Sequence, residues 1–164
     1  MSLKAFNSYE DVNRIIEKYS TMVYKLAFAR TRNEIDAEDI FQEVFLRYVK
    51  KKPVFESDEH EKAWFIRVTI NCSKTLWKNI FKHNEILKEE IVFEEKTEEE
   101  ALLEEHLLKL PTDYRIVIHL FYYEDMKTSD IAKVLNKKES TIRMQLTRAR
   151  RLLKDFMEGE IVDV

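Results

Sequence analysis

Glycine and proline are almost missing from this chain of 164 residues. It contains one glycine, Gly159, and two prolines, Pro53 and Pro111. A phosphate-binding loop, a dinucleotide-binding fingerprint and a nucleophile elbow all require glycine where the backbone bends sharply or approaches a ligand. None of these sites can be built from this sequence, and no pattern of a nucleophile beside a base replaces them. We therefore expect no enzymatic activity, no cofactor and no small-molecule substrate.

Helical periodicity dominates the sequence, whereas the alternation typical of strands is scarce. Pro53 ends one helix, Pro111 fits the first turn of another, and Thr97 with Glu100 has the form of a capping box. The pattern predicts helices over 9–31, from an N-cap at Asp36 to about Lys52, from about Glu59 to Phe81, from Thr97 onward, over 111–123, over about 128–135 and over about 139–156.

Charge is distributed unevenly along the chain, although the net charge is only −3. Residues 85–105 carry two Lys/Arg against ten Asp/Glu, a balance of −8, and residues 127–154 carry nine against two, a balance of +7. Basic segments of this density usually bind phosphates. We expect an all-α fold of two small helical domains, 1–84 and 97–164, joined by an acidic linker, 85–96.

The sequence lacks the signals of a metal site and of a membrane protein. The four histidines show no helical pairing with one another, so we expect no metal site; they are His60, His83, His106 and His119. The single Cys72 gives no disulfide and suggests a reducing compartment. No apolar run reaches the roughly 18 residues of a membrane span, and the N-terminus lacks the pattern of a signal peptide. We expect a soluble, cytoplasmic protein.

The segment TSDIAKVLNKKESTIRMQLTRARRLLK (128–154) has the layout of a helix-turn-helix. Ala132 lets two helix backbones approach, and Asn136 tolerates the left-handed conformation of a sharp turn. One stripe of the second helix is predicted to be buried: Ile142, Leu146, Ala149 and Leu153. The rest of its surface is cationic and includes Arg143, Met144, Thr147, Arg148, Arg150, Arg151 and Lys154. Major-groove binding is the favoured interpretation, and an ordinary helical hairpin with a basic side is the alternative.

The third predicted helix also has two faces. Its buried side is predicted to consist of Ala63, Ile66, Ile70, Trp77 and Phe81. An opposite arc without acids contains Arg67, Asn71, Lys74, Thr75 and Lys78, joined by Trp64. Aromatic rings stack on unpaired bases while cations hold the phosphates, so this arc suits single-stranded or distorted DNA. The alternative is that Trp64 belongs to the core and the other residues form a solvated surface.

The second predicted helix carries an apolar residue within a polar arc. Phe41, Val44, Phe45 and Tyr48 lie on one face, and Asp39, Gln42, Glu43 and Lys50 lie on the opposite one. Leu46 lies among the polar residues, which suggests a protein-binding patch.

The chain resembles the small extracytoplasmic-function group of bacterial sigma factors in four stretches that occur in the same order. They are DAEDIFQEVFLRYVKK (36–51), AWFIRVTINCSKTLWKN (63–79), LPTDYRIVIHLFYYEDMKTSDIAKVL (110–135) and STIRMQLTRARRLLK (140–154). The resemblance covers nearly the whole chain apart from the linker and the tail. It implies a subunit of RNA polymerase that recognises and opens promoters.

The resemblance also implies which residues contact each partner. The face that docks on the clamp coiled coil of core RNA polymerase is matched by Asp39, Gln42, Glu43 and Leu46. The helix that melts the promoter and reads the minus-ten element is matched by Lys62, Trp64, Arg67, Asn71, Lys74, Thr75 and Lys78. The helix that reads the minus-thirty-five element is matched by Ser140, Arg143, Met144, Thr147, Arg148, Arg150, Arg151 and Lys154. The family also contacts the polymerase flap and is commonly held inactive by an anti-sigma factor.

Two other functions are weighed against a sigma factor. A stand-alone helix-turn-helix regulator would form dimers and bind DNA tightly without polymerase. An all-helical scaffold would need no DNA, and it would leave both basic faces unexplained.

Overall fold

The computed structural model describes residues 9–79 and 96–159, which fall into two compact units, Met1–Ile86 and Leu87–Val164. The first contains α1 (Tyr9–Thr31), α2 (Glu34–Lys51) and α3 (Asp58–Asn79). The second contains α4 (Glu98–Lys109), α5 (Thr112–Ile118), a π-helical turn (His119–Tyr123), α6 (Thr128–Leu135) and α7 (Glu139–Met157). No strand occurs within these described ranges, and the prediction of an all-α fold with two helical domains is confirmed. Apart from Lys96, the predicted linker lies outside the described residues, as does the predicted helix end at Phe81.

The three helices of the N-terminal unit pack around an aromatic core. Phe65 of α3 is fully buried, and its ring stacks on Tyr19 of α1 at 4.4 Å and contacts Tyr48 of α2 at 5.5 Å. The Tyr19 hydroxyl donates a hydrogen bond of 2.7 Å to Glu61, which also accepts one of 2.9 Å from Lys18. These contacts join α1 to α3 through both apolar packing and a charge-assisted bond.

The start of α2 differs from the prediction. Asn33, not Asp36, is the N-cap, and its Oδ1 accepts hydrogen bonds from the backbone N–H groups of Ile35 (2.9 Å) and Asp36 (3.1 Å). Asp36 therefore lies within the first turn, where a carboxylate is favoured by the helix dipole. At the other end Lys52 adopts φ 46°, and Pro53 prevents the helix from continuing.

The buried side of α3 is broader than predicted and is centred on different residues. Ile66 and Ile70 are buried as predicted, whereas Ala63 is half-buried and Trp77 and Phe81 have no described side chain. The buried residues are Phe65, Ile66, Thr69, Ile70, Cys72 and Ser73. The Thr69 and Ser73 hydroxyls can be buried because they donate to the carbonyls of Phe65 and Ile70, each at 2.6 Å.

In the C-terminal unit the predicted capping box is confirmed, since the Thr97 hydroxyl and the Glu100 carboxylate each accept from the other residue's backbone N–H. Pro111 is the N-cap of α5, one residue before the first turn in which it was predicted. Arg115 is buried and closes the preceding turn by donating to the Leu110 carbonyl at 2.6 Å.

The turn between α6 and α7 has the predicted left-handed residue. Asn136 adopts φ 54°, ψ 50°, and its N–H donates to the carbonyls of Ala132 and Lys133. Lys137 donates its N–H to the same Ala132 carbonyl at 2.9 Å. The turn is thus closed by backbone bonds without glycine. Among the helices of the described ranges, none is both long enough and apolar enough to cross a membrane.

Candidate nucleic-acid interface

Helix α7 presents one buried and one exposed side, as its sequence predicts. Ile142, Leu146 and Ala149 are buried, and Leu153 is half-buried. The residues predicted to face DNA are all exposed: Ser140, Arg143, Met144, Thr147, Arg148, Arg150, Arg151 and Lys154. Because α6 supports the buried stripe, the cationic side of α7 is held away from the core.

A carboxylate lies at the N-terminal end of this cationic side. Glu139 Oε1 accepts hydrogen bonds from the Thr128 hydroxyl of α6 (2.9 Å) and from Arg143 Nη2, one turn further along α7 (2.7 Å). The bond from Thr128, followed by that from Arg143, lowers the pKa of Glu139, so the carboxylate is ionised at neutral pH. Glu139 was not among the predicted site residues, although its spacing of four residues from Arg143 is a recognisable signal of an ion pair.

Arg150 differs from the other arginines of α7 in its surroundings. Its Nε donates a hydrogen bond of 2.6 Å to the Tyr122 hydroxyl, and its guanidinium lies 5.3 Å from the centre of the Phe121 ring and 5.5 Å from that of Tyr122. The side chain is therefore held against the π-helical turn by a hydrogen bond and by cation–π contacts. These contacts compete with the DNA contact predicted for Arg150.

On α3, four of the seven predicted residues form one exposed surface: Arg67, Asn71, Lys74 and Thr75. Trp64 is half-buried at its margin, with its ring edge-on to Tyr48 (6.0 Å) and Phe65 (4.9 Å). Lys62 is separated from this surface, because it precedes the buried Phe65 and Ile66 by three and four residues and so lies on their side of the helix. The side chain of Lys78 is not among those that the structure describes.

The polar face of α2 contains more apolar surface than was predicted. Gln42 is exposed, Asp39 and Glu43 are half-buried, and Glu43 forms an ion pair of 3.0 Å with Arg47. Leu46 is 48% exposed and Val49 is 40% exposed. Val49 was not predicted as part of this face; it follows Leu46 by three residues and therefore extends the same patch.

An apolar groove of about 790 Å³ runs along the C-terminal unit between α4, the π-helical turn and α7. Its lining is mainly apolar, with Leu103, Leu107, Ile118, Tyr122, Leu153 and Met157, and it also includes the charged residues Arg150, Lys154 and Glu158. The groove was not predicted from the sequence, because its walls come from three separate segments. Among the described residues, no cluster of three or more His, Cys, Asp or Glu side chains could hold a metal ion.

Two family models match the chain, one on each unit. Residues 15–79 match Sigma-70 region 2, and residues 100–153 match Sigma-70, region 4. RNA polymerase sigma factor SigV of Bacillus subtilis is 29% identical over 135 residues, covering 80% of this chain and 81% of SigV. ECF RNA polymerase sigma factor SigW of the same organism is 24% identical over 162 residues, covering 85% of each chain.

Two solved structures share the fold. The sigma factor RpoE of Bartonella quintana, in complex with the anti-sigma factor NepR, has a TM-score of 0.70 at 18% identity and covers 91% of this chain and 98% of its own. CnrH, in complex with the cytosolic domain of CnrY, has a TM-score of 0.67 at 21% identity and covers 96% of this chain and 94% of its own.

Proposed function

This chain belongs to the extracytoplasmic-function group of sigma-70 factors, and from that membership we propose how its surfaces divide the work of transcription initiation. It is a promoter-specificity subunit of bacterial RNA polymerase. The observation that carries this function is the match of sigma regions 2 and 4, in that order, to the two helical units. We further propose that the chain catalyses no reaction, needs no cofactor and acts in the cytoplasm, where bacterial polymerase and DNA are found.

In the N-terminal unit we assign two surfaces to two partners. The α2 patch of Gln42, Leu46 and Val49, with Asp39 and Glu43 at its side, docks on the polymerase clamp, because it combines apolar exposure with a polar rim. The exposed α3 surface of Arg67, Asn71, Lys74 and Thr75 acts on the minus-ten element, with Trp64 at its margin available for stacking on an unpaired base.

In the C-terminal unit we assign the cationic side of α7 to the minus-thirty-five element. Arg143 and Arg148, with Met144 and Thr147, lie where a helix-turn-helix contacts base edges, and Arg151 and Lys154 further along meet phosphates. We assign the apolar groove to a helix of the polymerase flap, because its mainly apolar walls suit the apolar face of an amphipathic helix.

We also propose an anti-sigma factor as a regulatory partner, since both structural relatives were solved with one or with a partner domain. A stand-alone regulator is not favoured, because the match to sigma region 2 covers residues 15–79 and such a regulator has no use for a polymerase-binding domain.

The test is transcription in vitro with purified bacterial core polymerase on a fragmented genomic library, followed by mapping of start sites. The expected result is a set of start sites that share two upstream elements and are absent with core polymerase alone. Tight binding of a dimer to DNA without polymerase, with no new start sites, would instead support a stand-alone regulator.

A further inference from the structure

The N-terminal end of α7 holds one acidic side chain within its cationic surface. Glu139 is the first residue of α7, and its Oε1 is shared between the Thr128 hydroxyl at 2.9 Å and Arg143 Nη2 at 2.7 Å. Thr128 is the first residue of α6. One carboxylate thus connects the first residues of both helices of the helix-turn-helix with the guanidinium of Arg143.

The bond to Glu139 leaves Arg143 able to bind a base. A guanidinium carries five N–H donors, and one from Nη2 is used here, so four remain for a bidentate contact with guanine. The Arg143 side chain is 65% exposed, so without a second contact it would sample many rotamers. Because Thr128 holds the same carboxylate, Glu139 restrains the guanidinium relative to both helices.

The charge of Glu139 and its position beside Arg143 both favour contact of Arg143 with a base. An ionised carboxylate beside the guanidinium repels phosphates, and phosphates are the alternative partner of an arginine on DNA. Guanine is uncharged, so a bidentate contact with it loses less from that carboxylate than a contact with an anionic phosphate does. The pair therefore favours base contact over backbone contact.

We propose that Glu139 is a positioning residue for base recognition: it holds Arg143 against a guanine of the upstream promoter element and disfavours its contact with phosphate. This inference rests on the proposed function, because it takes α7 to be the helix that reads that element. It adds a residue that does not itself need to touch DNA.

The test measures holoenzyme binding to a promoter found by the transcription assay and to its single-base variants, for the unchanged chain and for Glu139→Gln. A bidentate arginine–guanine contact is worth roughly 5- to 150-fold in discrimination. Glu139→Gln should reduce the discrimination at one base pair by about threefold or more. Its affinity for the other base variants should stay equal or rise, because one negative charge has been removed.

A matched control lies at the C-cap of the same helix. Glu158 forms an i, i+4 ion pair of 3.9 Å with Lys154, and Glu158→Gln makes the same charge change at the far end of α7. This variant should change binding to all base variants by the same factor. Thermal unfolding of both variants shows whether the fold is kept, and the ratio of affinities between base variants is independent of how much protein is folded.

The double variant Glu139→Gln with Arg143→Ala identifies the residue through which Glu139 acts. If Glu139 positions Arg143, its substitution changes nothing further in discrimination once Arg143 is removed. A further loss in that background would mean that Glu139 reads a base itself, and the proposal would be wrong. Higher discrimination in Glu139→Gln would mean that the carboxylate competes with DNA, which also overturns it. If Arg143→Ala alone leaves discrimination unchanged, the inference fails while promoter-specific transcription stands.

Discussion

Arg150 and Arg151 are neighbours in the sequence but have different surroundings. Arg150 is bonded to Tyr122 at 2.6 Å and lies over two aromatic rings, whereas Arg151 is exposed on the side of α7 assigned to DNA. Helical position alone gave both arginines the same role. The difference comes from a partner 28 residues earlier in the chain, which helical periodicity does not reveal.

We predict that substitutions of the two arginines have different effects on the salt dependence of DNA binding. Arg151→Ala should lower the salt dependence of holoenzyme binding to DNA by about one ion, equally for all promoter sequences. Arg150→Ala should lower it by less, and should reduce the stability of the C-terminal unit by about 0.5–1 kcal/mol through lost cation–π contacts. The measurements are binding at several salt concentrations and thermal unfolding. Equal salt slopes with equal stabilities would contradict this difference.

Burial sets the chemistry of the single cysteine. Cys72 is buried in α3, and this burial raises the pKa of its thiol to about 11 from an ordinary value of 9.0. The folded state therefore holds the thiol proton more tightly than the unfolded chain does. The stability that follows from this is complete below pH 9 and is lost as the pH rises through 11.

We predict an alkaline loss of stability that depends on Cys72. The free energy of unfolding of the N-terminal unit should fall by about 2 kcal/mol more in the unchanged chain than in Cys72→Ala between pH 8 and pH 11. The alanine variant carries the same tyrosines and lysines, so their titration cancels in the difference. Denaturant unfolding at each pH measures it, and parallel pH profiles for the two proteins would show that the thiol is not the cause.

At the scale of helices, the sequence predicts best where the signal is local. The bounds of α1 and α6 are those that periodicity predicts, and the capping box at Thr97 forms. The predicted start of α2 was wrong because Asn33 and Asp36 are both suitable N-cap residues. Which of them caps the helix depends on the backbone N–H groups that its side chain can reach. Trp64 could not be placed because its neighbours come from α2 and from the segment before α3.

We predict that the apolar centre of the α2 patch is required for polymerase binding. Leu46→Asp should weaken binding to core polymerase by about tenfold or more, because it places an unpaired carboxylate in the interface. Val54→Asp is the control, since Val54 is a similarly exposed apolar residue (59%) of the same unit but lies outside α2. Both variants should fold normally. Equal losses in a binding titration with core polymerase would remove the assignment of this patch.

We predict that the exposed face of α3 acts during strand opening. Asn71→Ala with Lys74→Ala should reduce the permanganate reactivity of promoter thymines more than it reduces formation of the closed complex. The reason is that contacts with opened bases exist only after melting. If strand opening is normal and only formation of the closed complex falls, this face contributes only electrostatic attraction to duplex DNA.

At the scale of the whole molecule, charge is segregated within the C-terminal unit. The basic α7 belongs to the same unit as α4, whose first turn contains Glu98, Glu99 and Glu100, and the two helices are in contact. The chain as a whole carries a net charge of −3. Acids near a cationic DNA-binding surface weaken its attraction for any duplex, whereas base contacts are little affected. We infer that this arrangement lowers the affinity of the free protein for DNA of random sequence.

The last prediction compares two variants of equal net charge. Glu98, Glu99 and Glu105 are exposed acids of α4, two of them in its first turn, and changing all three to Gln brings the formal net charge from −3 to 0. The control changes three exposed acids of the N-terminal unit in the same way: Glu10, Glu17 and Glu59. Two of these also lie in first turns, so the loss of helix-dipole interactions is matched.

A unit charge about 12 Å from another is worth about 0.3 kcal/mol in water, so three removed charges amount to about 1 kcal/mol, or roughly fivefold in affinity. We expect the free α4 variant to bind a duplex of random sequence about fivefold more tightly than the unchanged chain at low salt, and the control variant to gain less. Above about 0.3 M salt the difference should disappear, because screening then acts within several ångströms. Equal gains would show that only net charge matters. Unchanged affinity in both variants would show that these acids do not weaken the binding of α7 to DNA. Weak binding of the free protein to DNA of random sequence would then need another cause.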